Sequence, residues 1–491
     1  MPVRLSPGMY ATGRDLSLYV PALSTTIFAV VGGARKGPLD TPTQVGSLNE
    51  FIDKFGYPCT QGGWAMMTYL RQGKQGIFIR VAASSVAANV TIWDSGAVLN
   101  TLKLEGNSTG EWGNDLKATV VAGTASGTCN ISILYQGLNV EIYNGLTKAN
   151  MASTINAATR YVVATDIASS TSIPAFDTYT LANGANGTTG LADADYIGTI
   201  TGDTATGMQT LGDPDTIDLN ILAVPGVSSA AVVNAGLSLA ASRKDTIFLV
   251  DPPQGLSTQD VQDWHNGAGA YSDHQAFNSS YGALQWAWHQ IYDPYSKQAV
   301  WIAPSGPTAA LYAFTDYNYE LWYAPAGYIR GHVLDTIAIE YSPRQGQRDF
   351  LQGNGNAINP YVKFSKDGIC LFGQRTLQRA PTALDRVCTR RMLMYAEKVL
   401  ATAAKYLLFE PNDSTTWDRL RLLADSALAP IKSRRGLYDY RIICDSSTNT
   451  PDVIDQNKVI CKVVLKPMKT AEAIELEWTL VSTGSTFTEV A

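Results

Sequence analysis

The chain is predicted to be an α/β plus β, multidomain protein, with an α/β core built from segments on either side of a β-rich insertion. Three observations carry this. Continuous apolar runs, T-T-I-F-A-V-V-G-G at 25–33 and I-F-I-R-V-A-A at 77–83, read as buried strands with helical segments between them. From about residue 89 to 186 the texture changes to Thr, Gly, Asn and Val, with period-two strands and turns roughly every 8–12 residues, the mark of a β-sandwich or small barrel. Helix–strand alternation then resumes, which makes the β-rich stretch (89–190) an insertion.

In chain order, residues 1–24 contain three prolines and only short apolar alternations around Tyr10, Leu18 and Val20, too little to bury alone, and read as an extended arm. Residues 25–88 open the core. After the first strand and a Gly37-Pro38 turn, Ser47 with Glu50 three residues on predicts a capping box for a short helix that Gly56 ends. A second helix is expected over about 62–72. Within 191–352, a strand at 217–226, a helix near 228–243 and a strand at 245–253 form a βαβ unit, so the sheet is parallel and buried between helices. Residues 353–474 carry the longest helix, about 384–408, ended by Pro411. A second helix follows over about 414–429, with Asp413 as N-cap and Pro430 as stop. Strands at 438–445 and 457–466 come next. Residues 475–491 alternate as a strand nearly to the last residue, through Leu476, Trp478, Leu480 and Phe487, and a lone strand there is an exposed edge that folded proteins avoid.

Composition narrows the function. A chain of 491 residues with 16% charged residues and many Gly and Tyr suits a folded, strand-rich protein with extensive protein contacts. A net charge of −6 argues against nucleic acid as a direct partner. No secretory signal is read at the start, nor any apolar run of about 18 residues, so a cytoplasmic protein without membrane insertion is expected. The six cysteines (Cys59, Cys129, Cys370, Cys388, Cys444, Cys461) are scattered without a C-x-x-C pair or metal-ligand spacing. Reduced thiols are expected, with disulfides formed after release from a cell as the other reading. G-G-A-R-K-G at 32–37 lacks phosphate-loop spacing, and the acidic run at 193 lacks the later Gly and Glu of a calcium loop. No cofactor or metal is expected. The Trp and Tyr residues clustered at 281–328 read as core and subunit interface rather than a sugar-binding surface.

An ordered set of segments then becomes specific: S-P-G-M-Y at 6–10, V-V-G-G-A-R-K-G-P-L-D-T-P at 30–42, S-L-N-E-F-I-D-K-F-G at 47–56, G-E-W-G-N-D-L at 110–116, A-P-S-G at 303–306, T-D-Y-N-Y-E-L-W-Y-A-P-A-G at 315–327, F-G-Q-R-T-L at 372–377 and E-P-N-D-S-T-T-W at 410–417. Together they resemble the tail sheath protein family of contractile-tailed bacteriophages, over nearly the whole chain. The resemblance implies a non-enzymatic virion protein, assembled in the host cytoplasm. It would polymerise with itself as stacked rings or a helix around a tail tube protein, between baseplate and tail terminator proteins, and contract by rigid-body rearrangement. It also implies terminal arms that add strands to neighbouring subunits, here residues 1–24 and 475–491.

On the helix at 384–408, Arg391, Lys398 and Lys405 recur every seven residues as a basic stripe, with Arg386 and Arg390 nearby. One reading makes this the tube-facing surface, the other an ordinary solvated helix face. The family's core is likened to a subtilisin-type fold, which raises a hydrolase reading through Asp251, His289 and Ser305, yet Ser305 lacks a G-x-S-x-G elbow and fold likeness does not transfer function. The sheath of a pyocin-like injection particle, or a tail-associated carbohydrate-binding or cleaving protein, are the alternatives.

Overall fold

The computed structural model describes residues 26–168, 170–353 and 355–477. Its centre is an eight-stranded sheet. The first part supplies β1 (Ile27–Gly32), β2 (Thr43–Val45), α1 (Leu48–Phe55), α2 (Gln61–Leu70) and β3 (Gln75–Arg80). Ser47 Oγ accepts from Glu50 N at 3.2 Å, as a helix start requires, and Gly56 ends α1 at φ +80°. Glu50 does not close a capping box on Ser47: its carboxylate takes the N–H of Gly46 at 2.7 Å and Lys54 Nζ at 2.8 Å.

The insertion follows as β4 (Asn89–Trp93), β5 (Asn100–Gly106), β6 (Leu116–Ala122), β7 (Cys129–Tyr135), β8 (Leu138–Leu146), α3 (Met151–Ala158), β9 (Val162–Asp166) and β10 (Thr178–Thr180). Its strands make two antiparallel sheets, β4-β5-β9 and β10-β6-β7-β8. Alternate residues of both, Ile92, Leu102 and Leu104 from one and Leu116, Ile131 and Ile133 from the other, share a single buried cluster. Where the insertion leaves and rejoins the core, Asn89 and Ala182 exchange backbone hydrogen bonds of 2.9 and 3.1 Å. Beside this seam Arg80, fully buried, donates to the carbonyls of Gly37, Thr109 and Asn186 at 2.7, 2.7 and 3.2 Å.

The core resumes with α4 (Asp193–Ile197), the small hairpin β11 (Ile200–Thr201) and β12 (Thr204–Ala205), then β13 (Ile221–Ala223), α5 (Ala230–Arg243), β14 (Ile247–Val250), α6 (Thr258–Asn266) and β15 (Gly282–Trp286). Next come β16 (His289–Asp293), β17 (Gln298–Ile302), α7 (Ser305–Asn318), α8 (Gly327–Arg330), β18 (Thr336–Ile339), α9 (Gln345–Gln352), β19 (Ile358–Phe364) and β20 (Gly368–Leu371). The central sheet runs β2-β3-β1-β13-β14-β15-β19-β20, parallel from β3 to β19 and closed at each edge by an antiparallel strand. Residues Ile27, Ala29, Val31, Leu222 and Phe248 face one helix layer, and Phe28, Val30, Ile221 and Leu249 the other, so both faces are dry and the strands read as continuous apolar runs. The strand expected over 217–226 is only three residues long, because Asp218 turns to Lys398 and Pro225 with Gly226 makes the turn after it.

The last layer is α10 (Val387–Ala404), α11 (Ser414–Ser433), β21 (Leu437–Ile443), α12 (Pro451–Asp455) and β22 (Lys462–Pro467). Asp413 caps α11, its Oδ1 taking Thr416 N at 2.9 Å. Pro430 does not stop the helix. The turn beyond it is retained because Ile431 is buried with Leu428 and Leu437, and Arg434 N still donates to Pro430 O at 3.0 Å. Among the described residues, no helix is long and apolar enough to cross a membrane.

Candidate assembly interface

The basic stripe on α10 faces inward. Arg391 is buried at the first step, with Nη1 donating to Asp316 Oδ1 at 2.9 Å and Nη2 to the other carboxylate oxygen. Two turns on, Lys398 pairs with Asp218 and lies 3.5 Å from Asp245. Two further turns on, Lys405 pairs with Asp215 in solvent. Arg390, 4% exposed, sits 3.6 Å from the centre of the Tyr281 ring. The seven-residue spacing is therefore matched by a row of carboxylates in the same subunit. Arg390 and Arg391, expected on a tube-facing surface, are buried in the subunit: Arg391 is paired with Asp316, and Arg390 lies over the Tyr281 ring with Nε and Nη2 lacking hydrogen-bond partners. Lys405 alone of the five stays mostly open to solvent, with 59% of its side chain exposed.

Arg386 has another task. It forms a fork on Glu472, Nε to Oε1 at 2.6 Å and Nη2 to Oε2 at 2.7 Å, and also pairs with Asp385 at 2.8 Å. That fork holds Glu472 below the ordinary carboxylate range despite burial. Gln374 Nε2 donates to Thr470 Oγ1 at 2.7 Å, and Met468 N to Gly436 O at 3.1 Å. The outgoing chain is thus fastened to its own subunit as far as Glu472. After it, Ile474 and Leu476 stand 81% and 73% exposed. Tyr10, Leu18, Val20, Trp478, Leu480 and Phe487, the other proposed arm positions, lie outside the described residues.

β21 and β22 form a two-stranded sheet separate from the others. One face packs Leu437, Ile442, Val463 and Leu465 over Met392, Leu428 and Ile431. The opposite face presents Tyr438, Arg441, Val464 and Lys466 to solvent. Neither outer edge has a partner strand among the described residues. The tip between α10 and α11 exposes Tyr406, Leu408 and Phe409.

The hydrolase arrangement does not form. Ser305 Oγ donates straight to Asp251 Oδ2 at 2.6 Å, and Ser305 N to Oδ1 at 2.8 Å, while His289 turns Nδ1 to Thr336 Oγ1 at 3.2 Å and its ring edge to Tyr361. Both Ser305 and His289 are fully buried, so no substrate reaches them and no base stands between nucleophile and acid. Asp251 instead anchors the start of α7, and burial pushes its carboxyl up to about 6. Among the described residues no cluster of three or more His, Cys, Asp or Glu is arranged to hold a metal. Of the aromatic cluster, Trp286 and Trp288 are core, whereas Tyr292 is 52% exposed.

Residues 379–480 match the phage tail sheath C-terminal domain family. The tail sheath protein of Vibrio phage KVP40 is 31% identical over 304 residues, 58% of this chain and 45% of its own length. That of Enterobacteria phage T4 is 30% identical over 305 residues, 59% of this chain and 46% of its own. The chain thus spans about half the length of the curated relatives it matches. Among solved structures, a sheath tail protein from Listeria innocua superposes with a TM-score of 0.63 at 11% identity, over 92% of this chain and 97% of that one. One from Desulfitobacterium hafniense gives 0.61 at 12%, over 94% and 100%. The sheath of an extracellular contractile injection system in its contracted state gives 0.57 at 16%, over 98% of both. These share a mixed α/β, multidomain fold with this chain. Joined to the curated matches, they lead to one conclusion: the chain is similar in sequence and in fold to tail sheath proteins, and its residues 379–480 match the phage tail sheath C-terminal domain.

Proposed function

We propose that this protein is the repeating subunit of a contractile tail sheath. It polymerises around the inner tail tube of a virion and contracts by rigid-body rearrangement of subunits, driving the tube through the host envelope. The observation that carries the reading is the isolated β21–β22 sheet. Among the described residues it has two open edges, beside an outgoing chain that is clamped at Glu472 and then exposes Ile474 and Leu476. Unpaired edges are a liability in a monomer and a connector in a lattice. Residues 1–24 and 475–491 are the arms that would fill such edges on neighbours. At about 3.3 Å per residue, an arm of some 15 residues reaches about 50 Å, enough to cross to an adjacent subunit.

On this reading the subunit is not an enzyme. Its partners are copies of itself, the tube protein, the baseplate and the tail terminator, and it is assembled in the host cytoplasm. The two facing sheets of the insertion are its β-sandwich, supported by their shared core, and the eight-stranded layer is its subtilisin-like sheath domain. Tube contact falls to the α10–α11 tip with Lys405, since the other four basic residues are engaged within the subunit. The test is electron microscopy of the purified chain with and without its tube protein. Ordered cylinders from the full chain, lost on removing 475–491, support the proposal. Monodisperse subunits that bind glycans instead of tubes would overturn it.

A further inference from the structure

Two cysteines at the loop end of the β21–β22 hairpin stand directly opposite one another. The ladder pairs Tyr440 with Leu465, Arg441 with Val464, Ile442 with Val463 and Ile443 with Lys462. The next step in that register places Cys444 across from Cys461. Opposed residues of an antiparallel pair have Cα atoms about 4.5–5.5 Å apart, inside the roughly 4.4–6.8 Å that a disulfide spans. The two thiols are close enough to influence one another's ionisation. A buried asparagine holds the arrangement from the loop side. Asn449, 2% exposed, donates through Nδ2 to Cys444 Sγ at 3.9 Å and to Ile460 O at 3.3 Å, and accepts from Ile460 N at 2.7 Å through Oδ1. Cys461 is half-buried and reachable, while Cys444 lies beneath it. The remaining cysteines sit far apart in the chain, Cys129 on β7, Cys370 on β20, Cys388 on α10 and Cys59 in the loop before α2.

We propose that Cys444 and Cys461 are a redox pair that closes to an intrachain disulfide when the protein meets an oxidising medium, clasping the hairpin at the end away from Leu437. The oxidant is a small aliphatic disulfide such as glutathione disulfide. The Cys461 thiolate attacks one of its sulfurs, forming a mixed disulfide and expelling one glutathione thiolate. Cys444 then loses its proton to solvent and attacks the Cys461 sulfur, expelling the second. Two protein thiols and one glutathione disulfide become one protein disulfide and two glutathione molecules, with two electrons passed to the oxidant. Burial raises both thiols, Cys461 to about 11, so closure is slow at neutral pH and faster in alkaline buffer. The pair stands whether or not the chain forms sheaths, and its failure leaves that reading untouched.

The full chain is incubated with glutathione disulfide in mildly alkaline buffer, alkylated, digested and examined by mass spectrometry, beside Cys444→Ser and Cys461→Ser. The expected result is a peptide linking Cys444 to Cys461, with alkylated cysteines falling from the six of the reduced chain to four. The product stays monomeric on a non-reducing gel, and its melting temperature rises, whereas Cys444→Ser stops at a glutathione adduct on Cys461 and Cys461→Ser forms no link. Six thiols still alkylated, a stable glutathione adduct on Cys461 of the unmutated chain, or links to other cysteines would each overturn the proposal.

Discussion

Asp251 is worth more to this protein as an anchor than it could be as a catalyst. Its two oxygens collect three donors, Ser305 N, Ser305 Oγ and Gly226 N, where the chain turns from the sheet into α7. Asp251→Ala leaves those donors buried without an acceptor, and the expected loss is about 3 kcal/mol or more, read as a lower urea midpoint. Ser305→Ala is expected to change no hydrolysis of esters or peptides, because Ser305 is buried on Asp251 with no base beside it, and assays on both substrates check this. The buried histidines set an acid limit. Burial holds His289 and His265 down from 6.5 to about 3 and about 4, so both are neutral in the fold. The unfolded chain takes up their protons first as pH falls. Their stability is full above 6.5 and drains towards about 3–4, by up to about 1.4 kcal/mol per pH unit for each. Asp251 works the other way, its raised carboxyl favouring low pH and losing that advantage as pH rises through about 6. The clean measurement is a difference: His289→Gln flattens the fall of the melting temperature between neutral and acid pH, and an unchanged slope refutes the assignment.

Elements are where sequence pattern succeeds and fails for identifiable reasons. The gap between α2 and α7 is set by Gly306, where a Cβ would come 2.6 Å from the Cα of Ala65. Gly306→Ala therefore forces the helices apart, and overpacking of this kind costs about 1–3 kcal/mol, visible in thermal denaturation. Strand runs such as 27–32, Asp413 as cap and the Gly56 stop were legible because each depends on neighbours in sequence. The fate of α10 was not. Seven-residue spacing correctly puts Arg391, Lys398 and Lys405 on one face, but which surface that face meets depends on Asp316, Asp218 and Asp215, remote in sequence. The buried Arg391 gives a sharp check. Arg391→Glu sets two carboxylates together in the interior, and the expected result is lost soluble yield, not a folded subunit impaired in tube binding. Pro430 was misread for a similar cause, since the burial of Ile431 outweighs the proline.

At the scale of the molecule, the subunit divides into parts that hold themselves and parts that wait for company. The parallel sheet is covered on both faces, and the insertion has its own core. The β21–β22 sheet is covered on one face only and its edges are unpaired among the described residues, and Ile474 and Leu476 after Glu472 stand exposed. Breaking the Arg386 fork with Glu472→Ala should free the outgoing chain without unfolding the body. The expected signature is new protease cleavage near 470 with an unchanged melting transition.

The insertion has a consequence for how such proteins diversify. It leaves and returns through two adjacent residues, Asn89 and Ala182, already bonded to each other, and Arg80 stitches the junction through carbonyls alone. Carbonyls are supplied by any residue. A recombination event that swapped residues 90–181 for an unrelated folded cassette would therefore need to preserve a strand pair, a few backbone positions and a few side-chain contacts, such as Ser108 Oγ on Gly37 N and Trp112 beneath Lys36. Lineages are free to exchange this module under selection from different surroundings while the parallel-sheet core stays fixed.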